Sequence, residues 1–170
     1  MAETLVFTEN ATRAETYAEL TPQIEALVAG ETDLTANLAN VAAALKEAFG
    51  FFWVGFYIAK GGQLVLGPFQ GPVACTRIDA GKGVCGHAYS KREAVIVPDV
   101  DEFPGHIACS SAARSEIVIP IFSGAKVFGV LDVDSDRLDD FSVDDLEGLS
   151  AVTRIIERII QSHTNSENLE

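Results

Sequence analysis

The sequence has no long apolar run, few basic residues and few cysteines. Nowhere do 18 apolar residues follow one another, and the N-terminal stretch MAETLVFTEN contains early acids and no apolar segment of signal-peptide length. The 12 basic residues against 25 acidic ones give a formal net charge of −13, which repels nucleic acid and anionic membrane surfaces. We therefore expect a cytoplasmic protein that binds neither nucleic acid nor membranes.

Several familiar motifs are incomplete, and their absence excludes further classes. Three cysteines without an export signal or a C-x-x-C pair argue against a disulfide scaffold, and a zinc site would have to recruit His87 or His106 from loops. GKGVCG at 81–86 matches G-x-G-x-x-G, but polar CTRIDA precedes it instead of a buried strand, so we expect no dinucleotide site. DVDSD at 132–136 resembles the start of a calcium loop, but Arg137 stands where the turn glycine belongs, which excludes an EF-hand.

Hydrophobic periodicity predicts the order helix, helix, hairpin, loop, strand, loop, hairpin, helix. The corresponding segments are two helices within 12–48, a hairpin turning at Gly61–Gly62, a loop ending in a short helix at 84–91, a strand at 94–98, a hairpin turning at 123–126, and a helix that Ser142 opens and Asp145 caps. This order is typical of an α+β fold, with an antiparallel sheet and the terminal helices packed on it. Length and 48% apolar composition fit one domain over residues 1–170, with flexible tails at about 1–12 and 164–170.

Alternation along the first predicted strand separates two faces. The face expected in the core carries Phe52, Val54, Phe56 and Ile58. The opposite face carries Phe51, Trp53, Gly55 and Tyr57. This second face is either core beneath loops or the wall of a small-molecule pocket, and periodicity alone favours the core.

The last predicted hairpin brings carboxylates together. Asp132 and Asp134 alternate onto one face at the end of an apolar strand, and Glu116 begins the preceding strand. An acid within the span of a sheet needs a cationic partner. A metal ion is one candidate, although a calcium loop of the EF-hand type is excluded. An organic ammonium group is the other candidate, and such a pocket would suit an amino acid.

All three cysteines, Cys75, Cys85 and Cys109, lie in two long predicted loops and none in an apolar strand. Loops of this length are usually functional, so their position favours reactivity over packing. A thiolate attacks an electrophilic sulfur or a peroxide, and a second thiol condenses with the resulting sulfenic acid. The spacing leaves open which thiol attacks. His106, three residues before Cys109, is a candidate base, although a lone loop histidine is more often simply exposed.

A family resemblance is carried by a series of motifs along the chain. They are G-x-x-A-C-x(9)-C-G-H-A, then V-x-V-P-D-V, then F-P-G-H-I-A-C-x-S-x-x-x-S-E-I-V-x-P, then G-V-L-D-x-D-S and F-x-x-x-D. Over roughly residues 20–161 the sequence resembles the free methionine-(R)-sulfoxide reductases, which are stand-alone GAF domains. The resemblance implies a six-stranded antiparallel sheet with helices from both termini on one face and a loop-covered ligand pocket on the other.

The resemblance also implies a reaction. The protein would reduce free L-methionine-(R)-S-oxide to L-methionine, with Cys109 as nucleophile, Cys75 as the main resolving thiol and Cys85 as a third thiol that helps in resolution. Thioredoxin would be the reductant, and no metal or organic cofactor would be required. The oligomeric state stays open, with a homodimer as one option.

Five further residues match the family's substrate site. Trp53 and Tyr57 would wall the methyl-sulfoxide end, where contacts between sulfur and aromatic rings are favourable. Glu116, Asp132 and Asp134 would hold the substrate's ammonium group.

These carboxylates create an electrostatic conflict, because negative charge near Cys109 raises its thiol pKa and removes thiolate. The substrate's ammonium group, Arg114 and His106 are the candidate sources of compensating positive charge.

Two rival functions remain open at this point. GAF domains commonly act as small-molecule sensors, but sensors normally come with an output domain, which we do not expect here. The N-K…F-x-x-x-D-E pattern of cyclic-nucleotide binders has Leu146 in place of its glutamate. The other rival is a thiol switch that responds to oxidants without turnover.

Overall fold

The computed structural model describes residues 4–167. Its helices are α1 (Arg13–Val28), α2 (Leu34–Phe49), α3 (Gly83–Lys91) and α4 (Val143–Glu167), and its strands are β1 (Trp53–Lys60), β2 (Gln63–Gln70), β3 (Arg77–Asp79), β4 (Val95–Val97), β5 (Ser115–Ser123) and β6 (Lys126–Ser135). Residues 1–3 and 168–170, the outer parts of the predicted tails, lie outside the described residues. The backbone is helical up to Glu167. Flexibility of the tails remains a prediction.

The six strands form one antiparallel sheet in the order β3-β2-β1-β6-β5-β4. The α+β class and the six-stranded sheet are therefore confirmed. Periodicity alone predicted only five strands, because β3 lies in a segment interpreted as loop. Strand β3 has only three residues, which pair with the first three residues of β2, from Gln63↔Asp79 to Val65↔Arg77. It is therefore too short to show an alternating pattern.

Helices α2 and α4 pack against one face of the sheet and α1 packs against both of them, so the helices from both termini lie on one side, as predicted. The core between them contains Val54 and Phe56 of β1, whereas Trp53 and Tyr57 belong to a second apolar cluster on the other face. The prediction was wrong for the two residues before the strand. Phe51 lies in the helix-side core and Phe52 packs on the opposite side. Both precede β1, so the alternation of an extended strand does not yet apply to them.

A buried polar network fastens the N-terminal helix to the C-terminal one. Asp145 accepts hydrogen bonds from the backbone N–H of Ser142 (2.9 Å) and from the hydroxyl of Tyr17 (2.9 Å), and it forms an ion pair with Arg13 (3.1 Å). The predicted capping role of Asp145 is thus confirmed, and the same carboxylate joins α1 to α4. Within the described residues, no helix combines the length and apolarity that spanning a bilayer requires.

Candidate active site

Two loops meet over the face of the sheet that the terminal helices leave uncovered. The loop after β2 carries Cys75, and the loop between β4 and β5 carries Cys109. A disulfide joins these cysteines across 34 positions of sequence, with 5.3 Å between their Cα atoms. The two sulfurs that the family resemblance paired are therefore bonded to each other in the structure.

The sheet beneath these loops presents a cluster of acids. Glu116 of β5 lies opposite Asp134 of β6 in the sheet register. Asp132, two residues before Asp134, lies on the same face of β6. Glu116 and Asp132 are each only 6% exposed, although carboxylates are rarely buried without a partner. Oδ1 of Asp132 is buried and accepts no hydrogen bond from any residue that the structure describes. The predicted convergence of the three acids is therefore observed.

Helix α3 lies over this cluster and contributes Cys85. The Cys85 thiol donates to Oε1 of Glu116 at 3.9 Å. Cys85 lies on α3 and is almost fully buried in the apolar cluster on this face, so its predicted place in a loop was wrong, whereas its predicted part in resolution stays a prediction. Packing explains its position, because Gly86 lets α3 approach β3 closely: a Cβ there would lie 2.4 Å from the carbonyl oxygen of Asp79. The glycine pattern of GKGVCG thus serves helix packing.

A cavity of about 30 Å³ lies between the acids and the disulfide, which is room for roughly two water molecules. Its lining includes Glu116, Asp132, Asp134, Cys85, Cys109, His106 and the first turn of α3. Of the two side chains expected to supply positive charge, Arg114 and His106, only His106 approaches the cluster, with Nε2 4.0 Å from Oε2 of Glu116. Arg114 is exposed and is not part of the lining.

The start of α3 is a site feature that sequence reasoning missed. Lys82, Gly83 and Val84 line the cavity. The first backbone bond of the helix runs from the N–H of Gly86 to the carbonyl of Lys82, which leaves the preceding N–H groups of the turn outside the helix's own ladder. Such a turn attracts anions. The signal for this turn in the sequence is the glycine-rich GKG at 81–83, which belongs to the motif that we interpreted only as a failed dinucleotide site.

Trp53 and Tyr57 lie beneath the Cys75 loop and do not line the cavity in this disulfide-bonded form. Nε1 of Trp53 donates to the carbonyl of Pro72 at 3.1 Å, and the Tyr57 hydroxyl donates to the carbonyl of Cys75 at 2.8 Å. The two rings thus support the segment that carries Cys75. Their predicted contact with the methyl end of a substrate stays a prediction.

Burial and mutual repulsion favour the protonated forms of the acids. Burial, followed by the charges of Asp132 and Asp134, holds the pKa of Glu116 well above its usual range. Burial likewise raises the pKa of Asp134 well above normal, with the charge of Asp132 adding to the effect. Burial raises the pKa of Asp132 to about 6, against the opposing effect of hydrogen bonds from Cys85 and Glu116. With this pKa, Asp132 is largely ionised at neutral pH.

The two other titratable side chains also favour neutral forms. Burial, reinforced by the charges of Asp132 and Glu116, raises the pKa of the Cys85 thiol. Burial lowers the pKa of His106, although the charge of Asp101 opposes this. Both shifts favour the uncharged forms and so weaken the contact between His106 and Glu116 as an ion pair.

We expect Asp132→Asn to stabilise the protein at alkaline pH. The folded-state pKa of Asp132 lies above that of an unfolded aspartate, so the wild type loses stability as pH rises from about 4 through about 6. The amide cannot ionise and avoids this loss, which amounts to about 3 kcal/mol at most. Thermal unfolding at pH 4 and pH 8 should show a gain in Tm only at pH 8. The exposed Asp136→Asn is the control, and an equal effect of both variants would contradict the prediction.

Comparison with known proteins gives a consistent result over nearly the whole chain. Residues 29–161 match the family model of the GAF domain. The chain is 43% identical over 149 residues to free methionine-R-sulfoxide reductase of Escherichia coli, covering 87% of this chain and 90% of that protein. It is 52% identical over 158 residues to GAF domain-containing protein A of Dictyostelium discoideum, covering 92% and 99%. The X-ray structure of free methionine-R-sulfoxide reductase from Neisseria meningitidis, in complex with its substrate, matches with a TM-score of 0.92 and 52% identity, covering 96% of this chain and 98% of that one.

Proposed function

The chain belongs to the free methionine-R-sulfoxide reductases, a family of GAF domains, and we propose that it reduces free L-methionine-(R)-S-oxide to L-methionine. The resemblance carried by the sequence motifs is confirmed at the level of the family. The observation that carries the proposed mechanism is the disulfide between Cys75 and Cys109 at the mouth of a buried acidic cavity. That arrangement supports a cycle of thiol, sulfenic acid and disulfide.

The acids bind the substrate's ammonium group in this proposal. Asp132 has a buried oxygen without a donor, and an ammonium group supplies both the hydrogen bond and the opposite charge. The substrate carboxylate lies at the N-terminal turn of α3, near Lys82. A methionine sulfoxide within a peptide has no free ammonium group and leaves the buried carboxylates unpaired, at a cost on the order of 1–3 kcal/mol for each group.

The pocket opens only when the disulfide is reduced. In the oxidised form the cavity of about 30 Å³ is much smaller than an amino acid. Reduction frees the Cys109 loop from the Cys75 loop, and displacement of these loops then admits the substrate. Product release and oxidation close the pocket again.

The chemical step transfers one oxygen atom between two sulfurs. The Cys109 thiolate attacks the sulfoxide sulfur and forms a sulfur–sulfur bond, while Glu116 or Asp134 protonates the oxygen. The resulting hydroxyl group then passes from the substrate sulfur to the Cys109 sulfur as the sulfur–sulfur bond breaks and its electron pair returns to the methionine sulfur. Methionine leaves reduced and Cys109 becomes a sulfenic acid. The Cys75 thiol then attacks the sulfur of Cys109, water leaves and the disulfide forms. A dithiol returns two electrons and two protons to complete the cycle.

The raised pKa values of the acids reduce the repulsion between this cluster and a thiolate on Cys109. Protonated Glu116 and Asp134 carry no charge and so do not oppose a thiolate on Cys109. Asp132, whose pKa burial raises to about 6, is largely ionised at neutral pH and pairs with the ammonium group. The same protonation supplies the general acid at neutral pH.

The reductant in this proposal is thioredoxin, acting in the cytoplasm. Both cysteines of the disulfide are only half-buried, and Val73, two residues before Cys75, is 87% exposed. An apolar side chain beside an accessible disulfide suits docking of a protein dithiol. A homodimer remains one option for the assembly.

The test of function is incubation of the protein with racemic free methionine sulfoxide and dithiothreitol, with each epimer followed by chiral chromatography. We expect loss of the R epimer alone over many turnovers. Stoichiometric oxidation of the protein without methionine release would instead support a thiol switch, and binding without conversion would support a sensor. Either of these outcomes would overturn the proposed function.

Replacing the resolving thiol should separate the first half of the cycle from the second. We expect Cys75→Ser to release about one methionine per protein and then stop when thioredoxin is the reductant, because the sulfenic acid has no partner. Rapid-quench measurement of methionine and trapping of the sulfenic acid with dimedone would show both effects. If Cys85 resolves instead, Cys75→Ser would keep turning over and only the Cys75→Ser/Cys85→Ser double variant would stop.

A further inference from the structure

Three metal-binding side chains of different chemistry converge beneath the disulfide. One donor atom each from Cys85, Glu116 and Asp132 lies within 4.8 Å of the other two, and all three residues are buried. The Cys85 sulfur is 3.9 Å from Oε1 of Glu116. Oδ1 of Asp132 accepts no hydrogen bond from the described residues, so one of the potential metal-ligand atoms is free to bind an ion.

The donor set and its spacing suit zinc. Zn²⁺ binds thiolate sulfur at about 2.3 Å and carboxylate oxygen at about 2.0–2.2 Å, so tetrahedral ligand atoms lie slightly closer together than the 3.9 Å observed here between sulfur and Oε1. Small side-chain movements therefore complete three ligands. A water molecule supplies the fourth. Magnesium and calcium prefer oxygen-only sets of six or more ligands, which this cluster does not offer.

We propose that Cys85, Glu116 and Asp132 form a Zn²⁺ site at which the ion inhibits substrate binding, and that this site is already formed when the disulfide is present. The cavity of about 30 Å³ has room for an ion with a bound water but not for an amino acid. The ion replaces the protons of the thiol and the carboxyls, and its positive charge removes the cost of burying them ionised. The reaction itself uses no metal. Because Zn²⁺ occupies the acids that hold the ammonium group in the proposed function, ion and substrate exclude each other.

The oxidised protein gives a direct test, because the disulfide leaves Cys85 as the only free thiol among the three cysteines of the chain. Co²⁺ serves as the probe, since it takes similar ligands and shows a charge-transfer band when thiolate is bound. We expect a one-to-one titration with this band, and Zn²⁺ should displace Co²⁺ because it stands higher in the affinity order.

Variants identify the ligands. Cys85→Ser should abolish the thiolate band, and Asp132→Asn should weaken Zn²⁺ binding, measured by calorimetry, by at least the roughly 10–100-fold that loss of an outer-sphere partner costs. The exposed Asp136→Asn should bind like the wild type. Circular dichroism shows whether each variant is folded, and the two substitutions test the site independently. No band in the oxidised wild type, or a band that persists in Cys85→Ser, would overturn the proposal.

A second arm separates the metal site from the proposed substrate site. In the Cys75→Ser/Cys109→Ser variant, Cys85 is again the one thiol, but no disulfide closes the loops. Free methionine sulfoxide should displace Co²⁺ from this variant. If Co²⁺ binds the oxidised protein but methionine sulfoxide does not displace it from this variant, the zinc site would be supported, and the proposal that the ion and the ammonium group share one site would be contradicted.

Discussion

Cys109→Ser should abolish methionine formation from free methionine-(R)-sulfoxide. A serine hydroxyl is scarcely ionised at neutral pH and is a poor nucleophile toward sulfur, whereas a thiolate attacks sulfur readily. Loss of the nucleophile removes the covalent route altogether, so we expect kcat to fall on the order of 10⁴–10⁶-fold. The measurement is methionine release with dithiothreitol, which makes the result independent of the protein reductant.

A matched control lies on the same loop. Ser111 is exposed and two residues from Cys109, so Ser111→Ala changes the loop without touching the cavity lining. It should retain wild-type turnover, and thermal unfolding should show that both variants are folded. Substantial residual turnover in Cys109→Ser would assign the nucleophile to another thiol and contradict the mechanism.

Asp132→Ala should raise KM for the free amino acid steeply. Truncating one member of a buried, hydrogen-bonded charge pair costs about 2–5 kcal/mol, which corresponds to roughly 30- to 5,000-fold in kcat/KM. We expect most of this loss in KM, because the ammonium group is remote from the reacting sulfur and is bound equally in ground and transition states. Steady-state kinetics with free methionine-(R)-sulfoxide measures the split.

The substrate offers its own control for this prediction. N-acetylmethionine sulfoxide has no ammonium group, so it should be a poor substrate of the wild type and should lose little further in Asp132→Ala. The exposed Asp136→Ala should leave KM for the free amino acid unchanged. An unchanged KM in Asp132→Ala would remove the ammonium contact from the model.

Strongly patterned parts of the fold could be predicted from the sequence, whereas short or non-extended parts could not. The long amphipathic helices and the alternation within β1, β5 and β6 have several residues in register with the core, so their pattern is clear. The three-residue β3 is too short for such a signal. Phe51 and Phe52 were assigned to the wrong faces because alternation was extended past the residue at which β1 begins.

The candidate site could be predicted in part. Alternation placed Asp132 and Asp134 on one face, but only the family resemblance paired Cys75 with Cys109, because sequence spacing carries no distance between loops. The burial of Cys85 and the protonation of Glu116 depend on how α3 lies over the sheet. Tertiary packing of this kind has no local sequence signal.

The hydrogen bonds of Trp53 and Tyr57 to the Cys75 loop determine which residues of that loop can vary in sequence. Both hydrogen bonds end on main-chain carbonyl oxygens, at Pro72 and Cys75, which every amino acid provides. The side chains between Gly71 and Cys75 can therefore vary among orthologues without detaching this segment from the strand. Natural variation should accumulate in the loop while the two aromatic donors persist.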